Sequence, residues 1–160
     1  VIDMGEEIVD YFRHTEDLND SLLRDNFTLS GEQFVLEYLT HRNCIPNVSA
    51  VLFRRDVFCL FNEKVTSYRY LGDWLFYVMI SKNRNISFVA NKLNYFRTHI
   101  NTTRSGKTLK EWEYTKDEFI GVFSEIREEF GLCEKMYFNL LQMPEKVQNI
   151  HCSLSYKIFV

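Results

Sequence analysis

The sequence predicts an α/β domain, a mixed sheet with flanking helices and a helix-rich C-terminus. Three observations carry that prediction. A β-capable apolar run, "NVSAVLFR", occupies 47–54, and a second, "ISFVANKLNYFR", occupies 86–97. Between and after them lie segments whose apolar residues recur every three or four positions, as on one face of a helix. The chain has 160 residues, 46% of them hydrophobic, which is enough to build a core of its own.

Taken in order, residues 1–29 are polar and mixed, with a strand and turn expected in "VIDMGEEIVDYFR" and a loop with one helical turn after it. A helix is expected over "SGEQFVLEYLTHRN", where Ser30 and Gln33 have capping-box spacing and Phe34, Val35, Tyr38 and Leu39 share a face. Pro46 keeps Ile45 extended, so the run that follows reads as a strand buried on both faces. A short helix is expected over 55–62, with Arg54 and Arg55 capping that turn or pairing with an acid. A loop or second helix leads from there to Gly72.

"GDWLFYVMISKN" is apolar almost all round and predicts a core helix with Asp73 in its first turn, where free N–H groups favour negative charge. "ISFVANKLNYFR" reads as two short strands or one bent strand, broken near Ala90 and Asn91, followed by a polar loop, "INTTRSGK". The last well-specified element is a helix opened by Thr108 and Glu111 as a capping box and stopped by Gly131. Its expected apolar stripe is Leu109, Trp112, Phe119, Ile120, Phe123, Ile126 and Phe130.

Composition excludes several function classes. A formal net charge of -3 argues against nucleic acid as a partner, since phosphate neutralisation needs a basic stripe. No apolar run approaches the roughly 18–20 residues that span a bilayer. The first residues show neither the basic nor the apolar region of a signal peptide and read as a chain entered midway. Cys44, Cys59, Cys133 and Cys152 are scattered without a C-x-x-C pair, which points to reduced thiols in a cytoplasmic protein. N-x-S/T triplets begin at Asn26, Asn47, Asn85 and Asn101, a pattern short enough to arise by chance.

Three segments in this order resemble the C-terminal half of bacterial family 2 glycosyltransferases. They are "NCIPNVSAVLFRRDVF", "YLGDWLFYVMIS" and "ISFVANKLNYFRTHINTTR". The resemblance covers about residues 1–105. It implies a GT-A fold, a mixed sheet between helices, and transfer of a sugar from a nucleotide diphosphate to an acceptor hydroxyl with inversion. On this reading 1–105 is the acceptor-side, catalytic-base portion and 106–160 a helical extension. The D-x-D carboxylates that grip a divalent metal (Mn or Mg) in such enzymes have no counterpart here, so the nucleotide-binding half is expected to be missing and the isolated chain inactive.

The resemblance also implies roles. Asp73 matches the base that accepts the acceptor's proton; a first-turn cap is its plain alternative. Trp74 is expected either to stack on the acceptor sugar or to pack in the core, and Asn47 and Ser49 either to reach sugar hydroxyls or to cap the strand. His99 matches a metal ligand or diphosphate contact, and Arg97 and Arg104 flank it as candidate diphosphate-binding residues. Implied partners are a nucleotide-sugar donor, a glycan or lipid-linked acceptor, the missing half, and a second copy of the chain covering the exposed split face. The expected location is cytoplasmic, peripheral at the inner membrane face. A non-catalytic binding or oligomerisation module is the competing class.

Overall fold

The computed structural model describes residues 2–3, 6–7, 18–19, 21–45, 47–91, 93, 97–98 and 109–131. In chain order come strands β1 (Ile2–Asp3), β2 (Glu6–Glu7) and β3 (Phe27–Ser30), helices α1 (Gly31–Phe34), α2 (Glu63–Ser67) and α3 (Gly72–Ser81), strands β4 (Asn85–Phe88) and β5 (Arg97–Thr98), and helix α4 (Leu109–Phe130). The result is a mostly helical domain with a two-stranded antiparallel sheet, β3 against β4. Among the described residues the expected mixed sheet is represented by two-residue strands in the order β2-β1-β5, with β1 antiparallel to β2 and parallel to β5.

The β3–β4 ribbon lies where the sequence predicts loop on one side and strand on the other. "FTLS" alternates, so Phe27 and Leu29 turn inward while Thr28 and Ser30 face out. Phe27 pairs with Phe88 and their rings stack with centroids 5.3 Å apart. Thr28 and Ser87 hydroxyls meet at 2.9 Å on the outer face.

Ser30 then caps α1 as its spacing predicts, its Oγ accepting from the Gln33 N–H at 3.1 Å. The helix continues as a π-helical stretch over Val35–Leu39, and Phe34, Val35, Tyr38 and Leu39 are all buried. Gly31 is required at this junction. Its N–H donates to the Arg84 carbonyl at 2.6 Å, and a Cβ there would fall 1.8 Å from the Ser81 carbonyl oxygen.

The run 47–54 is not a buried strand. It forms a 3₁₀ turn over Val48–Ala50 and an irregular stretch, with Leu52 fully exposed and Val48 and Phe53 partly so. Its apolar side chains find only partial cover: Phe53 sets its edge against Phe76 of α3, the ring centroids 5.5 Å apart. The expected short helix after it is a 3₁₀ helix, Arg55–Leu60, and Arg54 Nε pairs with Asp56 at 3.2 Å.

Helix α3 is the core. Trp74, Leu75, Phe76, Tyr77, Val78 and Ile80 are buried, with α1 and its extension on one side and α4 on another. Helix α4 ends at Gly131, at φ 67°, whose N–H returns to the Arg127 carbonyl at 3.0 Å. Its buried face differs from the expected stripe. Thr115, Val122, Phe123, Glu125 and Ile126 are buried, whereas Trp112 and Ile120 lie on the exposed side. No helix among the described residues is long and apolar enough to cross a membrane.

Candidate functional site

The turn carrying Asp73 is held from three directions. From below, α2 starts on the Asn62 side chain, which accepts from the Val65 N–H at 3.3 Å, and ends at Tyr68. From the side, the Glu118 carboxylate of α4 accepts from the backbone N–H groups of Arg69, Tyr70 and Leu71 at 2.6, 2.9 and 2.8 Å. Leu71, the residue before α3, offers that helix no side-chain cap of its own. A carboxylate from 47 residues away therefore caps the approach to α3.

From above, Trp74 is anchored in the core. Its indole N–H donates to the Leu39 carbonyl at 3.1 Å, and Phe119 and Phe123 meet the ring edge-on. With 1% of its surface exposed, Trp74 offers no face to a sugar, and core packing is the one of its two expected placements that is observed. The cause is directional: the helix turns Trp74 toward α4 and leaves Asp73, one residue earlier, half-buried at the rim.

Asp73 sits in the first turn of α3, as the sequence predicts, with Oδ1 accepting from the Trp74 N–H at 2.7 Å. One helical turn later Tyr77 is buried at 2% exposure, and its hydroxyl has no hydrogen-bond partner among the described residues. Burial pushes that phenol well above its ordinary range, and the Asp73 carboxylate nearby adds to the rise. Phe76 carries the edges of Phe53 and Phe61, and Phe61 stacks with Phe58, which is 60% exposed. An aromatic surface thus runs from α3 outward.

Asn47 and Ser49 belong to the 3₁₀ turn at Val48–Ala50, Asn47 half-buried with its carbonyl accepting from the Ala50 N–H at 3.2 Å and Ser49 exposed. They are not the entrance to a strand. Arg97 lies in β5, in register with Ile2; His99 and Arg104 lie outside the described residues. Among the described residues no three His, Cys, Asp or Glu side chains group closely enough to hold a metal ion.

An open hollow of about 450 Å³ lies at the far end of α3, lined by Leu60, Met79, Lys82, Arg84, Glu125 and Glu129. Two of its charges are already paired, Lys82 with Glu129, and Glu125 binds Lys64. Tyr77 and Glu118 went unmarked in the sequence. The signal for Glu118 is visible in retrospect: Glu111, Glu118 and Glu125 stand seven residues apart, and all three face partners on the α2–α3 side. Comparison with known proteins found no matching family model, no similar curated protein and no similar solved structure.

Proposed function

We propose that this chain is the acceptor-side part of an inverting, family 2-like glycosyltransferase with a GT-A framework, and that Asp73 is its base. The observation that carries the reading is the placement of Asp73. It is a half-buried carboxylate at the rim of a helix whose next residues are fixed in the core. Rigid support of that kind is what a proton acceptor needs.

In the proposed step the acceptor hydroxyl oxygen forms a bond to the anomeric carbon of a nucleotide-diphosphate sugar. The bond from that carbon to the diphosphate oxygen breaks, the electron pair leaves with the nucleoside diphosphate, and the hydroxyl proton passes to Asp73. Carboxylates for the donor's divalent metal come from another segment, because this sequence holds no D-x-D. Such a metal, held by those other residues, would supply charge neutralisation at the departing diphosphate. A cytoplasmic location at the inner membrane face, with a glycan or lipid-linked acceptor, belongs to the same reading.

The exposed aromatic surface of Phe53, Phe58 and Phe61 favours a second reading, a non-catalytic binding or oligomerisation module. One experiment separates the two. In the full gene product, tested with nucleotide-diphosphate sugars, Asp73→Asn is expected to lower kcat about 100-fold or more with nucleotide affinity unchanged. Transfer that survives the substitution removes Asp73 from the role. No transfer by the parent enzyme leaves the binding module.

A further inference from the structure

An extended run of chain whose backbone N–H and C=O groups pair with nothing is a ready template for a second strand. Residues 51–54 form such a run. Val51 and Arg54, at its two ends, have extended backbone, with φ and ψ of −112° and 132° and of −66° and 143°. Phe53 turns in against Phe76, while Leu52, one position earlier, is fully exposed, the alternation of a strand. The Val51 N–H is taken by the Val48 carbonyl at 3.1 Å. Successive residues of an extended chain point these groups to opposite edges, so those of Leu52 face the other way. Among the described residues the Leu52 N–H and C=O form no hydrogen bond.

Area and charge select the partner. Leu52, Phe53, Phe58 and Phe61 together expose about 500 Å² of apolar surface, at the upper end for a protein that stays alone. With the exposed Arg54 and Arg55 at its margin, the patch comes near the ~800 Å² that each partner gives to a standard interface. The charges favour self-pairing in one direction. Parallel copies would lay Arg54 on Arg54 and Arg55 on Arg55. Antiparallel copies centred on Leu52 lay both arginines opposite Ala50 and Ser49, which are uncharged.

We propose that residues 51–53 are the contact through which two copies of this chain associate, pairing antiparallel about a two-fold axis at Leu52. The Leu52 N–H of each copy donates to the Leu52 carbonyl of the other, and the two leucine side chains meet on the face away from Phe76. Both copies use the same groups, so association closes at two. This gives the oligomerisation reading its partner and its surface, and rests on that reading; the role of Asp73 does not enter.

The test is sedimentation of the 160-residue chain from about 10 μM to about 1 mM, with Cys59 kept reduced, together with amide exchange at Leu52. The mass is expected to climb from that of one chain to that of two, and exchange of the Leu52 N–H to slow at least ~10-fold over the same range. Leu52→Lys is expected to weaken association about 10-fold or more with thermal stability unchanged, because the replaced side chain is fully exposed. A chain that stays monomeric to about 1 mM overturns the pairing and leaves the edge to a strand of another segment. A dimer in which the Leu52 amide exchanges freely also overturns it, while keeping an oligomerisation module built on a different face. Neither result alters the Asp73→Asn transfer assay, so loss of the pairing and loss of the base role are read separately.

Discussion

Gly31 shows how little space separates the β3–β4 ribbon from the core helix. A methyl group there would meet three backbone atoms, Ser81 O at 1.8 Å, Ser81 C at 2.6 Å and Arg84 O at 2.8 Å. Backbone cannot swing aside as the end of a long side chain does, so the ribbon must move. Gly31→Ala is expected to cost about 2–4 kcal/mol, read as a lower urea midpoint with an unchanged slope; a midpoint equal to the parent's would refute the close approach. At this scale the sequence was legible where the physics is local. The Ser30 cap, the Gly131 stop and the first-turn position of Asp73 each depend on a few neighbouring residues, and all three are found. The direction of Trp74 was not legible, because a helix apolar almost all round gives no face from which to judge where one ring points.

Between elements, the contact that most shapes the candidate site is Glu118 on the N–H groups of residues 69–71. It joins α4 to the start of α3 and sits beside the apolar packing of Phe119, Val122, Phe123 and Ile126. Glu118→Ala strips three backbone donors of a charged acceptor, and water replaces it only at the exposed end. The expected loss is about 2–3 kcal/mol of stability. It should be accompanied by faster hydrogen exchange at residues 69–71 and unchanged exchange in β3 and β4. Protection that persists at those three amides would show that the carboxylate is not their partner. Periodicity alone placed α4 and its end but put Trp112 and Ile120 on the buried face, because hydrophobicity does not register a buried glutamate or threonine. The segment 47–54 failed for a related reason: an apolar run of that length becomes a strand only if a neighbouring strand is available to pair with it. β3, by contrast, was written in the alternation of "FTLS" and was hidden by the polar residues around it.

Among the described residues the expected strand at 47–54 is a 3₁₀ turn and irregular chain, and stability rests on α3 held among aromatic rings and acid–base pairs. Several of those groups push their proton equilibria the same way. Lys64 is raised above its ordinary 10.5, chiefly by its hydrogen bond with Glu125. Tyr68, Tyr70 and Tyr77 are raised above 10.0, chiefly by burial. In each case the folded state holds its proton to higher pH than the unfolded chain does. Above about pH 10 the unfolded state therefore binds fewer protons, and stability falls as pH rises through the raised folded values. Below the unfolded values all four groups are protonated in both states, so their contribution is fully present and flat. The contribution of these four groups to the unfolding free energy is thus expected to be level across neutral pH and to decline from about pH 10 upward. Tyr77 should dominate the decline, as the most buried of the three tyrosines. Denaturant titrations from about pH 7 to 11 with and without Tyr77→Phe measure it: the phenylalanine variant, having no phenol to ionise, should lose less stability over that range. Parallel curves would mean that the phenol is already solvated, which would refute the buried hydroxyl.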